Sequence, residues 1–225
     1  MTVWHRCHFP LGQLRSLFLA PARYKVPCMK TLFFGGSYNP IHAGHLICAR
    51  AVAEAAGFER VVLIPSAQPP HKPAGALAPA QDRLEMCRLA VAGSPLFEVS
   101  DVELTREGPS YTLVTVRHLK QQGHQTVHWL IGADMLEDLP GWYEARALVE
   151  EAEFVVMARP GWRLEGSALP PPLDRLRTMF VRAPLIEISA SEIRRRVAEG
   201  LSIDYLTPPA VVGYIRDRCL YGQRI

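Results

Sequence analysis

The residues best suited to handling phosphate lie in one run, Gly35-Gly36-Ser37-Tyr38-Asn39-Pro40-Ile41-His42-Ala43-Gly44-His45. It falls between an apolar stretch that reads as a buried strand and an apolar repeat that reads as a helix. Glycine lets backbone N–H groups approach an anion because no Cβ stands in the way, and a helix N-terminus adds unpaired donors and a partial positive charge. His42 and His45, three positions apart, then project from the first turn on one face. The expected product is a phosphate-sized pocket formed by Gly35, Gly36 and Ser37, with two imidazoles at its edge. Three plainer readings compete. The glycines could serve a tight strand-to-helix turn and nothing else, and the histidines could be incidental surface residues. They could also ligate a metal, but HxxH without the glutamate of HExxH, and without a third ligand nearby, makes a poor zinc site. The conjunction of all these residues favours phosphate chemistry, with no protein metal site.

A second cluster, Ile188-Ser189-Ala190-Ser191-Glu192-Ile193-Arg194, is followed by Arg195 and Arg196. Ser189 and Glu192 have capping-box spacing, so a helix starts here with Ile193 and Val197 packed inward. Capping leaves Ser191 and Arg194 unexplained. A hydroxyl and a guanidinium at a second helix N-terminus suit phosphate oxygens. Arg195 and Arg196 read as solvated surface.

These clusters need a scaffold, and from Met29 onward strand-like runs alternate with helix-period stretches. That pattern predicts a Rossmann-like, doubly wound α/β fold: a mainly parallel sheet, helices on both faces, and a small C-terminal helical part. Thr31–Phe34 reads as the first strand. Leu46, Ala49, Ala53 and Ala56 mark the helix after it, and Gly57 the stop. Arg60–Pro65 follows as a second strand, parallel to the first by the right-handed crossover rule. Residues 66–79, rich in Pro, Ala and Gly, read as a projecting loop, the kind of segment that often carries function. Leu84, Cys87 and Val91 mark another helix. Ser110 is suited to cap one containing Leu113, Val116 and Leu119. Thr126–Ile131 and Glu153–Ala158 read as buried strands, Pro170-Pro171-Pro172 as a surface connection, and Thr207-Pro208 as the cap and first residue of the last helix. No repeat or second core is evident.

Composition narrows the function classes. The chain has 225 residues, 48% hydrophobic and 21% charged, too apolar and too low in charge for a disordered protein. No apolar run approaches the roughly 20 residues of a membrane span, so a soluble protein is expected. Five scattered cysteines without a CxxC suggest neither a disulfide framework nor a zinc site, which fits a reducing, cytoplasmic setting. The formal charge of +3 comes from residues 1–28, where Arg6, Arg15, Arg23 and Lys25 stand without an acid. The remainder is near neutral, which argues against nucleic acid as a partner. Segment 1–28 is a weak signal peptide, since Arg15 interrupts Leu11–Ala22, and a weak transit peptide with its one serine. It reads as an appendage, with an upstream start codon as the plain explanation, ahead of a single domain over 29–225.

The GGSYNPIHAGH segment resembles the GxFxPxHxGH motif of the nucleotidyltransferase superfamily, and ISASEIR resembles its C-terminal motif. Pro69-Pro70-His71-Lys72, Arg106-Glu107-Gly108-Pro109-Ser110-Tyr111-Thr112, Gly132-Ala133-Asp134 and Trp142 after Pro140-Gly141 narrow the likeness. Together they resemble bacterial nicotinate-nucleotide adenylyltransferase across 29–219. Tyr38 stands where that family usually has Phe, and Ser191 where Thr is frequent. The resemblance implies transfer of AMP from ATP to nicotinate mononucleotide, giving deamido-NAD and pyrophosphate in NAD biosynthesis. It makes His42, His45 and Arg194 the catalytic residues. It assigns Gly35, Gly36, Ser37, Lys72, Gly132, Asp134, Ser189 and Ser191 to ATP, with Asp134 on ribose hydroxyls. Ser110, Tyr111, Thr112 and Trp142 go to the nicotinate nucleotide, with backbone N–H groups near Tyr111 and Thr112 on the carboxylate and Trp142 on the ring. Mg²⁺ would be held mainly by substrate phosphates. A homo-oligomer is left open.

Plainer roles stand beside these: Trp142 as core, Ser110 and Asp134 as helix caps. A transferase acting on phosphopantetheine or glycerol phosphate would share both phosphate motifs but has no evident use for GPSYT and Trp142. A noncatalytic nucleotide sensor has little use for both histidines and Arg194. A hydrolase built on HxxH would need tightly bound zinc.

Overall fold

The computed structural model describes residues 29–73, 75–158 and 180–222. The 1–28 extension and the Pro170–Pro172 connection lie outside the described residues. Six parallel strands form one sheet in the order β3-β2-β1-β4-β5-β6: β1 Thr31–Gly36, β2 Arg60–Pro65, β3 Phe97–Val99, β4 His128–Gly132, β5 Glu153–Ala158 and β6 Phe180–Arg182. The strand order reverses between β1 and β4, so their carboxyl ends, Gly36 and Gly132, open a crevice at the switch point where such sheets bind ligands.

Strand alternation sends side chains to two cores. Leu32, Phe34, Val61 and Leu63 face one side, where they meet Ala49 and Ala53 of α1 (Ala43–Ala56), Met86 and Cys87 of α2 (Ala80–Val91), Ile193 of α5 (Ala190–Ala198) and Val211 and Ile215 of α6 (Pro209–Asp217). Phe33, Val62, Ile64, Trp129 and Ile131 face the other side, with Leu113 and Val116 of α3 (Thr112–Gln121) and Leu148 and Val149 of α4 (Ala145–Glu151). The doubly wound expectation is borne out, as is the small C-terminal helical part. No helix among the described residues is long and apolar enough to cross a membrane.

Several boundaries differ from the sequence reading. Gly57 ends α1 as expected, in the left-handed region at φ 68°. The short strands β3 and β6, three residues each, and the seven-residue α4 carry too little periodicity to be read in sequence. Ser110 does not cap α3: the capping position is Tyr111, and Ser110 is spent elsewhere. The last helix is preceded by Pro208 rather than Thr207, because the Thr207 hydroxyl donates to the Ile41 carbonyl at 2.8 Å. The C-terminal helix is held to α2 by buried Asp82, whose Oδ1 accepts from the Tyr214 hydroxyl at 2.8 Å and from Arg218 Nε at 3.2 Å.

Candidate active site

Gly35 and Gly36, expected in the turn, are instead the last two residues of β1, paired with Ile64 and Pro65 of β2, and the strand end and the turn after it are shaped by aromatic packing. A Cβ on Gly35 would collide with the Trp129 indole on β4, and one on Gly36 would lie 3.0 Å from the Tyr38 ring. Tyr38 is fully buried with φ 43°, and its hydroxyl donates to the Phe34 carbonyl at 2.6 Å, folding the turn back on its own strand. A phenol thus serves where the family usually has a phenyl ring. The Tyr38 ring stands edge-on to His45, with centroids 5.1 Å apart.

His42 immediately precedes α1 in extended conformation, and His45 lies in the helix's first turn. Their rings stack at 3.6 Å with 27° between planes. The His42 backbone N–H donates to His45 Nδ1 at 3.2 Å, so a neutral His45 carries its proton on Nε2 and presents that nitrogen as a donor. Burial lowers His42 to a pKa of about 4, and burial together with the neighbouring His42 holds His45 well below the usual imidazole value. Both rings are therefore neutral donors at pH 7 before any anion arrives. A Cβ on Gly44 would come within 3.1 Å of His42 Nδ1, so this glycine makes room for the stacked pair.

The C-terminal motif closes on this turn. Arg194 Nη1 donates to the Asn39 carbonyl at 2.7 Å, and the Tyr221 hydroxyl donates to Asn39 Oδ1 at 2.9 Å. The Ala43 N–H donates to the Leu206 carbonyl at 2.9 Å, so one of the α1 donors expected to face phosphate is already used. Ser189 precedes α5, and its Oγ accepts the Glu192 N–H at 3.2 Å and lies 3.1 Å from Ser191 Oγ. Only half of the anticipated capping box forms, because the Glu192 carboxylate turns to Arg195, at 2.7 Å. Arg195 is exposed as expected, while Arg196 donates through Nε to the Ser202 carbonyl at 2.7 Å.

The remaining expected residues surround the crevice. Exposed Lys72 lines a cleft of about 440 Å³ with Gln68, Pro70, Leu77, Arg83 and Pro109, a cleft that His42 and His45 do not line. A hollow of about 400 Å³ lies apart, beside Glu192, Arg196 and Tyr205. Ser110 pairs reciprocally with Gln68: its N–H donates to the Gln68 carbonyl at 2.9 Å, and its Oγ accepts the Gln68 N–H at 3.0 Å. This clamps the loop over 66–79 to the segment before α3. The Tyr111 N–H donates to the Pro109 carbonyl at 2.9 Å, leaving Thr112, first residue of α3, as the helix-end donor of that pair. Asp134 is exposed at the carboxyl end of β4, and its carboxylate occupies the space a Cβ on Gly132 would need. Asp134 therefore does not cap the short helical turn that Gly132 precedes. Trp142 is half-buried against the second core.

Three residues escaped the sequence reading. Arg83 is buried in α2, Tyr221 reaches Asn39, and exposed Tyr143 stacks on Tyr111 at 4.3 Å and 19°. For Arg83 a signal existed: positions 83, 87 and 91 share the inward stripe of α2. The other two pairings join distant segments and leave no local pattern. Among the described residues, no group of three or more His, Cys, Asp and Glu side chains is placed to hold a metal ion.

Comparison with known proteins matches this arrangement. Residues 33–196 match the cytidylyltransferase-like family model. A probable nicotinate-nucleotide adenylyltransferase of Roseiflexus sp. (strain RS-1) is 43% identical over 189 residues, covering 83% of this chain and 95% of the relative. Another, from Thermus thermophilus, is 43% identical over 194 residues, covering 86% and 100%. Among solved structures, a putative nicotinate-nucleotide adenylyltransferase from Vibrio parahaemolyticus superposes with a TM-score of 0.62 at 18% identity, over 86% of this chain and 95% of that one. The Plasmodium falciparum nicotinic acid mononucleotide adenylyltransferase complexed with NaAD gives 0.62 at 19%, over 85% and 96%. These two likenesses concern the fold. With sequence identity of this extent over nearly the full length of its relatives, the chain belongs to the nicotinate-nucleotide adenylyltransferases of the cytidylyltransferase-like family.

Proposed function

We propose that the protein transfers AMP from ATP to nicotinate mononucleotide, forming nicotinate adenine dinucleotide and pyrophosphate. The observation that carries this reading is the junction of the two phosphate motifs, where Arg194 donates to the Asn39 carbonyl in the turn that leads into the stacked imidazoles. Family membership supplies the substrate pair.

A phosphate oxygen of the mononucleotide attacks the α-phosphorus, and the bond to the bridging oxygen breaks with its electron pair leaving on pyrophosphate. The nucleophile is anionic at neutral pH, so no protein base is required. The protein's part is in-line positioning and offsetting of charge. His45 offers Nε2–H to the α-phosphate, with His42 stacked behind it. Arg194 and Lys72 bring positive charge to the triphosphate, and Ser189 and Ser191 line the second helix start. Asp134 accepts from ribose hydroxyls at the switch point. The acceptor's pyridine ring lies against Trp142, its carboxylate toward the N–H of Thr112.

Imidazole, ammonium and guanidinium groups form no oxygen cage, so Mg²⁺ fits best as a companion of the nucleotide, held by phosphate oxygens and offsetting their charge. Cys87 and Cys219, which form no disulfide among the described residues, agree with a reducing, cytoplasmic setting.

Pyrophosphate release with ATP and each mononucleotide tests the reading. Release is expected with the nicotinate form, and His45→Ala should lower kcat by about 10²–10³, the usual cost of a donor to transition-state charge. No release from the wild type, or a folded His45→Ala enzyme within a few-fold of it, would overturn the assignment.

A further inference from the structure

Arg83 is 1% exposed, yet all three of its guanidinium nitrogens are engaged, and by main-chain carbonyls rather than carboxylates. Nε donates to Ala78 at 2.9 Å, Nη1 to Ser37 at 2.7 Å and Nη2 to Ala67 at 3.2 Å. Ser37 belongs to the turn after β1. Ala67 and Ala78 are near the two ends of the loop that carries Lys72. Ala78 is also gripped from the other side, its N–H donating to Asn39 Oδ1 at 3.0 Å.

A buried guanidinium costs free energy to desolvate, and burial lowers its pKa here. Neutral carbonyls offset that cost less well than a carboxylate does. A residue placed only for packing is better served by Leu or Met, since α2 already presents Leu84, Met86 and Cys87 to the core. What a planar fork does and an aliphatic chain does not is fix three separate backbone segments at set distances. Of the loop's described residues between Ala67 and Ala78, Pro70, His71 and Lys72 are exposed. How the two loop ends are pinned sets where Lys72 stands relative to the turn after β1.

We propose that Arg83 is a positioning residue for adenylyl transfer, locking the Lys72 loop to the Ser37 turn so that the Lys72 ammonium is delivered to the phosphates. It touches no substrate, and its role rests on the transfer reading above. A lysine at this position keeps the charge but presents one nitrogen, which does not span three carbonyls. Arg83→Lys should therefore lower kcat roughly ten- to a hundred-fold, the scale of loss when a reacting group is misplaced by about 1 Å. The same substitution made on Lys72→Ala should cost no more than about three-fold, because two residues acting through one another are not additive. A merely structural arginine changes the folded fraction and the melting temperature, but not the turnover of folded enzyme nor its coupling to Lys72.

The experiment measures pyrophosphate release at saturating ATP and nicotinate mononucleotide at 25 °C for the wild type, Arg83→Lys, Arg83→Gln, Lys72→Ala and the Lys72→Ala/Arg83→Lys double variant. Circular dichroism reports folding. A wild type that releases no pyrophosphate sinks the transfer reading itself. With an active wild type, the positioning role falls if folded Arg83→Lys turns over within three-fold of it, or if the two losses multiply in the double variant. It falls equally if neither Arg83 variant folds, for Arg83 is then a core residue whose loss is felt everywhere.

Discussion

Arg194, on α5, and Asn39, in the turn after β1, are 155 positions apart in the chain and joined at 2.7 Å by the guanidinium and a main-chain carbonyl. That hydrogen bond helps tie α5 to the turn after β1 and uses one arm of a planar fork, and in the proposed reaction the other arm is offered to phosphate. Arg194→Lys keeps the charge but not both contacts at once. We expect it to lose about 10²-fold in kcat while keeping the fold, and Arg194→Ala about 10³-fold, read as pyrophosphate release. A lysine variant with parental turnover would show that the charge alone suffices.

The paired imidazoles make the free enzyme sensitive to acid. His42 has a folded pKa of about 4 and His45 is also depressed, against about 6.5 in the unfolded chain. Between those values the unfolded state binds protons that the folded state does not, so stability falls as pH falls. The His42 contribution is complete above about pH 6.5 and is lost as pH drops toward its folded value of about 4, at up to about 1.4 kcal/mol per pH unit, and His45 acts in the same direction. Urea unfolding at several pH values checks this. Replacing His42 by Gln should flatten the slope between pH 6.5 and 4, and an unchanged slope would contradict the buried neutral ring.

Two glycines of the first motif separate packing from chemistry. Gly35→Ala drives a methyl group into the Trp129 indole inside the second core. We expect it to cost about 1–3 kcal/mol in stability, as overpacking does. Gly44→Ala meets His42 Nδ1 at 3.1 Å and Ile186 Cγ2 at 3.3 Å, so the imidazole has to move by a few tenths of an ångström. Its loss should appear in kcat more than in melting temperature. Thermal unfolding and steady-state kinetics on both variants distinguish the two, and the reverse ranking would refute the assignment.

Acceptor choice is expected to rest on donors alone. The N–H groups of the first turn of α3, which lie outside the helix ladder, suit both oxygens of a carboxylate, whereas an amide meets one of them with a donor of its own. That mismatch costs roughly 1–3 kcal/mol, or about ten- to a hundred-fold in kcat/KM in favour of nicotinate mononucleotide. Trp142→Ala should raise KM for the acid mononucleotide and leave that for ATP within about two-fold. Its half-buried ring packs on the second core, so some stability should also be lost. Equal use of the two mononucleotides, or a Trp142 variant impaired mainly for ATP, would remove this account of the pocket.

Much of the site was legible in the sequence because its parts are local. The turn after β1, the helix after it and the ISASEIR helix start are each written within about a dozen residues, where glycine, cap and periodicity signals apply. The strands β2 and β5 were legible to the residue, since strands buried on both faces are continuous apolar runs. Tertiary structure decided what depends on segments meeting. Ser110 pairs with Gln68 instead of capping α3, and Thr207 bonds Ile41 instead of capping α6, because a hydroxyl takes whichever partner the fold brings nearest. Gly35 makes room for an indole from a strand more than 90 positions away, which no local reading reveals. The sequence by itself determined which groups are suited to phosphate and on which kind of element each stands. Only the folded chain decided that Arg194 rests on Asn39, that Arg83 ties both ends of one loop to the turn after β1, and that two imidazoles stack as neutral donors, because these depend on burial and on distances between residues remote in the chain.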